Sequence, residues 1–306
     1  MTGFVLRRLG ESLLAVWGVV TIVFFVTRVL GDPAALLLPI GATPQEIEAL
    51  RDHLGLNQPL IMQYVGYLGD ILHGDFGTSF QHGRSAMAVV LERLPATAQL
   101  ALTAIVLGVA IGSVAGAIAA LKRGRAIELL VMAIALLGQA TPVFWLGIML
   151  ILFFAVQLHW LPTGGYGTLS HLVLPAFTLA VFVSASIARL LRSSILDILK
   201  EDYVRTAKAK GLLRSTIFFW HIARNALIPV VTMTAILTGE LLGGSVVTET
   251  VFSWPGIGRL IIQAIDVKDF PVIQAGVTLI ATIFVLINFA VDLLYGLLDP
   301  RIRTTR

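Results

Sequence analysis

The sequence predicts an all-α, polytopic membrane protein with six transmembrane helices and both termini in the cytoplasm. Three observations carry this. Charged residues make up only 13% of the 306 positions, against about 25% in an ordinary soluble domain, and mean hydropathy is +0.89. Several stretches continue for 18 or more residues almost without charge, which is the length a helix needs to cross a bilayer. The basic residues of the connecting segments also alternate from one side to the other, as the positive-inside rule demands.

The first span is expected over 9–30. Its apolar run outlasts the core of a signal peptide and no small-x-small cleavage site follows, so Arg7 and Arg8 read as a cytoplasmic anchor. Residues 31–95 are polar, with Gly, Pro and short helical patches, and fall outside. They either shield helix ends or dock an external partner. The second span follows Pro95 over 96–121. A basic turn, KRGRAIE, leads to a third span over 129–156 with Thr141-Pro142 inside it. The loop 157–171 is rich in turn formers. The fourth span covers 172–191, and a long charged loop, 192–225, returns inside. The fifth span covers 226–247, a polar loop 248–271 lies outside, and the sixth span covers 272–294. Residues 96–300 thus form a five-helix core, and Arg301, Arg303 and Arg306 mark a tail over 301–306. In this arrangement 16 of the 22 Lys and Arg lie inside. The topology therefore accounts for the basic balance, and no nucleic acid partner is needed to explain it.

Within the spans, Gly108, Gly112 and Gly116 recur at intervals of four, as do Gly239 and Gly243. Such spacing leaves one helix face flat for close approach by a neighbour, in a static contact or a moving one. Glu240 lies deep in the fifth span. A carboxylate there must face protein or water, so it either meets a substrate amine or is held protonated or internally bonded. Gln139, Thr141 and Asn288 lie at comparable depth and are candidates to line the same pathway; Asp292 sits near the inner end of the sixth span.

Some chemistry is missing. There is no cysteine, which removes disulfides and thiolate metal sites. No GxxxxGK[ST] phosphate loop, HExxH or GxSxG motif is present, and the histidines are not at ligand spacing. No catalytic residue and no metal site is expected, and energy for transport would have to come from elsewhere.

The charged loop contains EDYVRTAKAKG at 201–211. Ile195, Ile198, Leu199 and Tyr203 make an apolar stripe, Ala207 and Ala209 favour helix, and Gly211 can end it in the left-handed conformation. A second, more aromatic short helix over 217–221 is expected to lead to Pro229. A helix lying on lipid would carry large apolar residues opposite its lysines; alanines and a sharp bend suit insertion into a protein groove.

These residues resemble the cytoplasmic loop of ABC importer permeases of the dipeptide/oligopeptide/nickel class, a resemblance that covers nearly the whole chain. It is carried by YVRTAKAKG and RNALIPVV in the loop, and by GDP at 31–33, LGLNQPL at 54–60, GDFGTSF at 74–80, LPAT at 94–97, TETVFSWPGIGRL at 248–260, KDFPVIQ at 268–274 and VDLLYGLLDPRIR at 291–303. Arg205-Thr206-Ala207 stands where the wider superfamily has Glu-Ala-Ala, so no glutamate is present to carry that residue's role. The resemblance implies the type I importer permease fold in a bacterial cytoplasmic (inner) membrane. It implies a multi-pass subunit for short peptides, paired with a second, related but distinct permease, with two ATPase subunits and an extracytoplasmic substrate-binding protein, and surrounded by membrane lipid. ATP and Mg would be bound by the ATPase subunits, with no cofactor in this chain. The loop would be the coupling helix, with Glu201, Asp202, Tyr203, Arg205, Thr206, Ala207, Lys208, Lys210 and Gly211 as the residues that meet the ATPase. Asp75, Trp254 and Arg259, in the extracytoplasmic motifs, are candidates for docking the binding protein. A nickel-chelate or glutathione importer of the same class is the nearest alternative. A secondary transporter driven by ions is the alternative of another class; it would show inverted repeats and paired charges in the membrane.

Overall fold

The computed structural model describes residues 2–30, 34, 38, 42–53 and 55–298. The GDP of 31–33 and the tail arginines lie outside the described residues. Among the described residues the chain is helical, and the only extended pairing is an isolated antiparallel bridge between Thr78 and Ser85. Five helices are long and apolar enough to cross a membrane, and a bent pair makes a sixth crossing if taken as one.

By its internal contacts the chain divides into two units, Met1–Thr97 with Pro255–Leu286, and Ala98–Trp254 with Ile287–Arg306. The first unit opens with α1, Thr2–Leu30, followed by α2, Pro44–His53, α3, Leu60–Leu72, and α4, Ala86–Leu91. The start of α2 is a capping box: the Glu46 carboxylate accepts the Thr43 backbone N–H at 2.7 Å, and the Thr43 hydroxyl accepts the Glu46 N–H at 3.3 Å. Pro44 occupies the first helical position, where a missing N–H costs nothing. Those Thr43 donors hold the Glu46 carboxyl below the usual carboxylate range. Helix α3 is apolar but only 13 residues long. Its Tyr64 and Tyr67 rings pack on the buried Phe24 of α1, and Tyr64 and Thr21 share a hydroxyl contact of 2.6 Å.

The core of this unit joins Phe76, Val89 and Val90 to Ile257, Leu260 and Phe270. Residues far apart in sequence thus close around one apolar cluster. Ser79 donates to the buried Asp269 carboxylate at 2.5 Å, and the Gln81 backbone N–H reaches the same oxygen at 3.2 Å. The other Asp269 oxygen is buried without a partner.

The second unit is organised around α8, Leu169–Ile198. Helix α5, Leu94–Leu121, begins in the first unit and continues into this one. Here the glycines of α5 meet α8. A Cβ on Gly108 would lie 2.5 Å from the Val183 Cβ, one on Gly112 2.6 Å from the Ser184 carbonyl oxygen, and one on Gly116 2.6 Å from the Ala188 carbonyl oxygen. Close approach is therefore realised along this face. Gly243, by contrast, has no atom within 4 Å of a built Cβ, so the second glycine pair does not repeat that role at Gly243 within this chain.

The expected third span, 129–156, is not one helix. It is α6, Ala126–Ala140, and a second helical stretch, α7, Val143–Leu150, prolonged by a π-helical segment Ile151–Gln157. The two halves are bent by 104°. Pro142 supplies no N–H and forces the preceding residue out of the helical region; Thr141 is accordingly extended, with φ −76° and ψ 126°. Each half has 15 residues, about 22 Å of helix, too short to cross a hydrocarbon core of about 30 Å alone.

The fifth span also departs from expectation. The anticipated separate helix over 217–221 is the beginning of one continuous helical run. A turn at Arg214–Thr216 passes through a π-helical stretch, Ile217–Ala223, into α10, Arg224–Gly244. The anticipated outer loop is mostly helix too, as α11, Val246–Val251, and α12, Ile257–Asp266, before α13, Phe270–Leu298.

Candidate functional site

The loop after α8 folds as the charge and alanine pattern requires. Lys200 and Glu201 form a bend, and α9 runs from Asp202 to Ala209. Asp202 stands in its first turn and Lys208 in its last, both favourable to the helix dipole. Gly211 then adopts φ +72°. Its N–H bonds to the Lys208 carbonyl at 3.0 Å, and the Leu212 N–H to the Ala207 carbonyl at 3.4 Å. That pair of bonds is a Schellman cap, which satisfies otherwise orphaned carbonyls and turns the chain sharply.

Only Val204 and Ala207 of α9 are buried. Spaced by three, they form one narrow seam, and α9 packs with the π-helical stretch. Glu201, Asp202, Tyr203, Arg205, Thr206, Lys208, Lys210 and Gly211 are exposed. Ala207 is thus turned into this chain's own fold, and the other eight candidates present an outward face. The Asn225 amide donates to the Tyr203 phenolic oxygen at 3.1 Å and to the His221 carbonyl at 3.0 Å. Helix α9 is therefore fastened both to the π-helical stretch and to the first turn of α10. The Arg205–Asp202 pair, 3.3 Å apart, is open to water on both sides and contributes little to stability. The short helix is thus seated on Val204 and Ala207, carries a charged outer face, is capped at Gly211 and is tied to α10 through Asn225.

The four pathway candidates all belong to the second unit. Glu240 is exposed on α10, and Gln139, Thr141 and Asn288 are half-buried. Gln139 and Thr141 flank the break between α6 and α7. The Thr141 hydroxyl is spent on the Leu137 carbonyl at 2.7 Å, whereas the Gln139 carbonyl oxygen is buried without a partner. Among the described residues, no hydrogen bond joins Glu240, Gln139 and Thr141 to one another.

The docking candidates lie in different settings. Asp75 is exposed and accepts the Gly77 N–H at 2.8 Å, shaping the Gly-rich turn. Arg259 is half-buried on α12, beside Arg93 in a small cleft of about 230 Å³. Trp254 is 1% exposed, with its ring edge-on to Tyr166 at 4.9 Å.

Two buried carboxylates escaped the sequence reading. Glu249 on α11 is 0% exposed and accepts the Ser245 hydroxyl at 3.1 Å, and its carbonyl accepts the Trp254 N–H at 2.8 Å. Asp269 holds Ser79 as described. Both sit in stretches that read as polar loop; the signal for Glu249 was the Ser at i−4, which places both on one helix face.

Residues 112–304 match the family described as binding-protein-dependent transport system inner membrane component, and residues 1–101 match the N-terminal membrane component of such systems. The chain belongs to this family. It is 40% identical to the di/tripeptide transport system permease protein DppB of Pseudomonas aeruginosa (strain UCBPP-PA14), with 100% of both chains covered. It is 43% identical to the glutathione transport system permease protein GsiC of Escherichia coli (strain K12), with 99% of both covered. Among solved structures, an inward-facing form of the MetNI methionine ABC transporter superposes with a TM-score of 0.56 at 20% identity, covering 70% of this chain and 97% of that one. An amino acid ABC transporter with histidines gives 0.52 at 19%, covering 70% and 94%. These likenesses show the fold. The permease is a multi-pass inner-membrane subunit of an ABC importer.

Proposed function

We propose that this permease carries short peptides across the bacterial inner membrane and takes its driving force at α9. The observation that carries the coupling role is the two-sided construction of that helix: Val204 and Ala207 seat it in its own chain, and the charged side is left outward. In this reading the outward side occupies a cleft of an ATPase subunit that binds ATP and Mg. When two such subunits close, α9 is displaced. The Schellman cap, the Tyr203–Asn225 bond and the continuous helix from Arg214 pass the motion to α10. A shift of a rigid element then biases a two-state bundle between inward and outward openings.

The peptide substrate is supported by relatives that match over the full length: one belongs to a di/tripeptide transport system and another to a glutathione transport system, glutathione being itself a tripeptide. Glu240, Gln139, Thr141 and Asn288 would line the path, with the Glu240 carboxylate meeting a peptide's ammonium group. A second, related permease chain would complete the path. An extracytoplasmic binding protein would deliver cargo against a face that includes Asp75 and Arg259; Trp254, buried in the second unit, would not meet it directly.

The test is uptake of labelled di- and tripeptides, and of glutathione, by the reconstituted importer with its cognate binding protein. ATP-dependent accumulation of short peptides supports the assignment; uptake of none of them, or accumulation that follows an ion gradient without ATP, overturns it.

A further inference from the structure

A cleft of about 710 Å³ opens beside the start of α6 in the second unit. Its lining holds Arg125, Arg189 and Arg192 together with Leu129, Met132 and Leu136. The apolar three are spaced by three and four residues, so they share one face of α6 and form a strip about 10 Å long leading away from Arg125. Arg125 lies at the beginning of α6, and Arg189 and Arg192 near the end of α8, which the distribution of basic residues assigns to the cytoplasmic side. The strip therefore runs inward, toward the middle of the bilayer.

The arginines are not all spent internally. Arg192 pairs with Glu128, and Glu128 also accepts the Gly124 N–H at 2.5 Å, so that carboxylate is occupied from two sides. Arg125 and Arg189 are exposed, and among the described residues their side chains make no hydrogen bond or ion pair. The cleft lining thus holds three guanidinium groups and one carboxylate, an excess of positive charge at the inner membrane surface. Guanidinium forks fit phosphate oxygens in pairs, and the negative lipids of this leaflet concentrate there.

We propose that this cleft holds an anionic glycerophospholipid of the cytoplasmic leaflet, its phosphate among Arg125, Arg189 and Arg192 and one acyl chain along Leu129, Met132 and Leu136. The arginines of the lining match the headgroup, and the apolar strip matches an acyl chain. A free phosphate would leave the apolar strip unfilled, and a soluble protein could not follow it into hydrocarbon. Glu128 acts as a positioning residue, fixing Arg192 so that its remaining donors stay at the cleft. The site lies where α6 and α8 meet, the helices that carry the broken span and the glycine contact, so a bound lipid would brace that junction.

The experiment is native mass spectrometry of the complete importer, incubated with phosphatidylglycerol or with phosphatidylcholine of the same chains. Phosphatidylglycerol should be retained about fivefold or more over phosphatidylcholine, as expected for charge-assisted phosphate contacts. Arg125→Gln with Arg189→Gln should abolish that preference. Met132→Trp, which fills the strip and leaves every charge in place, should lower retention of both lipids at this site. Intact subunit composition and an unchanged melting temperature show that the variants are folded; if the double variant fails to assemble, Met132→Trp and an Arg189→Lys variant with partial retention decide the matter. Equal retention of both lipids, no change in either variant, or complete displacement by millimolar inorganic phosphate would overturn the proposal. So would cross-linking of Arg189→Cys to an ATPase or second permease subunit, which would assign the cleft to a protein partner.

Discussion

The side-chain amide of Asn225 donates a 3.1 Å hydrogen bond to the phenolic oxygen of Tyr203. It joins the first turn of α9 to the first turn of α10 across 22 residues of sequence, at a point where little else fastens the outer face of α9 to its own chain. Tyr203→Phe removes that oxygen and keeps the ring. The bond is exposed, so global stability should fall by no more than about 1 kcal/mol. If the bond transmits motion, the substrate carried per ATP hydrolysed should fall while ATPase turnover is retained, measured in parallel in proteoliposomes. Asn225→Ala, which removes the donor altogether, should show the same loss.

Gly211 adopts φ +72°, with no neighbouring atom within 4 Å of a built Cβ. The obstacle to a side chain there is conformational, not spatial. Ala should cost about 1 kcal/mol and a β-branched residue more. Gly211→Val should therefore insert and assemble normally but uncouple ATP hydrolysis from uptake. Normal uptake with Val in place would remove the cap from the mechanism.

The α5 glycines are spatially constrained. A Cβ on Gly112 would stand 2.6 Å from the Ser184 carbonyl oxygen, and backbone cannot give way as a side-chain tip can. Gly112→Leu should lower the melting temperature in detergent markedly, at a cost of about 1–3 kcal/mol or more, as overpacking does. Gly243→Ala meets open space and should be nearly neutral in the isolated permease. A large effect of Gly243→Ala seen only in the assembled importer would show that a partner subunit packs on that face.

Ser79 carries one of two hydrogen bonds to the buried Asp269, whose second oxygen is already unpartnered. Ser79→Ala leaves that carboxylate with a single backbone donor, and should destabilise the first unit by about 1–3 kcal/mol. Ser79→Thr, which keeps the hydroxyl, should recover most of the loss. Thermal unfolding of the purified complex checks both.

The spans were legible because long apolar runs have few alternatives, and the cytoplasmic helix because Gly211 and the Asp202-to-Lys208 charge order mark both its ends. The 104° break is half visible in the sequence: Thr141-Pro142 marks its place inside the third span, but apolar composition is blind to direction, so the run alone predicts one helix. The early start of the fifth helix was hidden by Arg214, His221 and Arg224, which interrupt the apolar run while leaving the helix intact. Trp254 and Glu249 read as features of a polar loop, yet both are buried, because the partners that cover them, Tyr166 and Ser245, are brought in by folding and by a helical turn that hydropathy does not register.

The central claim is that α9 is seated in an ATPase subunit, and the chain's lack of cysteine makes single introduced thiols clean reporters of it. Lys208→Cys, Arg205→Cys and Val204→Cys variants of the assembled importer can be treated with a short bifunctional thiol reagent, with and without ATP. The account predicts that Cys at 208 and 205 cross-links to an ATPase subunit in a manner that changes with nucleotide, and that Cys at the buried position 204 does not. It is contradicted if Cys at 208 and 205 stays equally open to a water-soluble maleimide whether or not the ATPase subunits are present, and cross-links to neither of them in any nucleotide state.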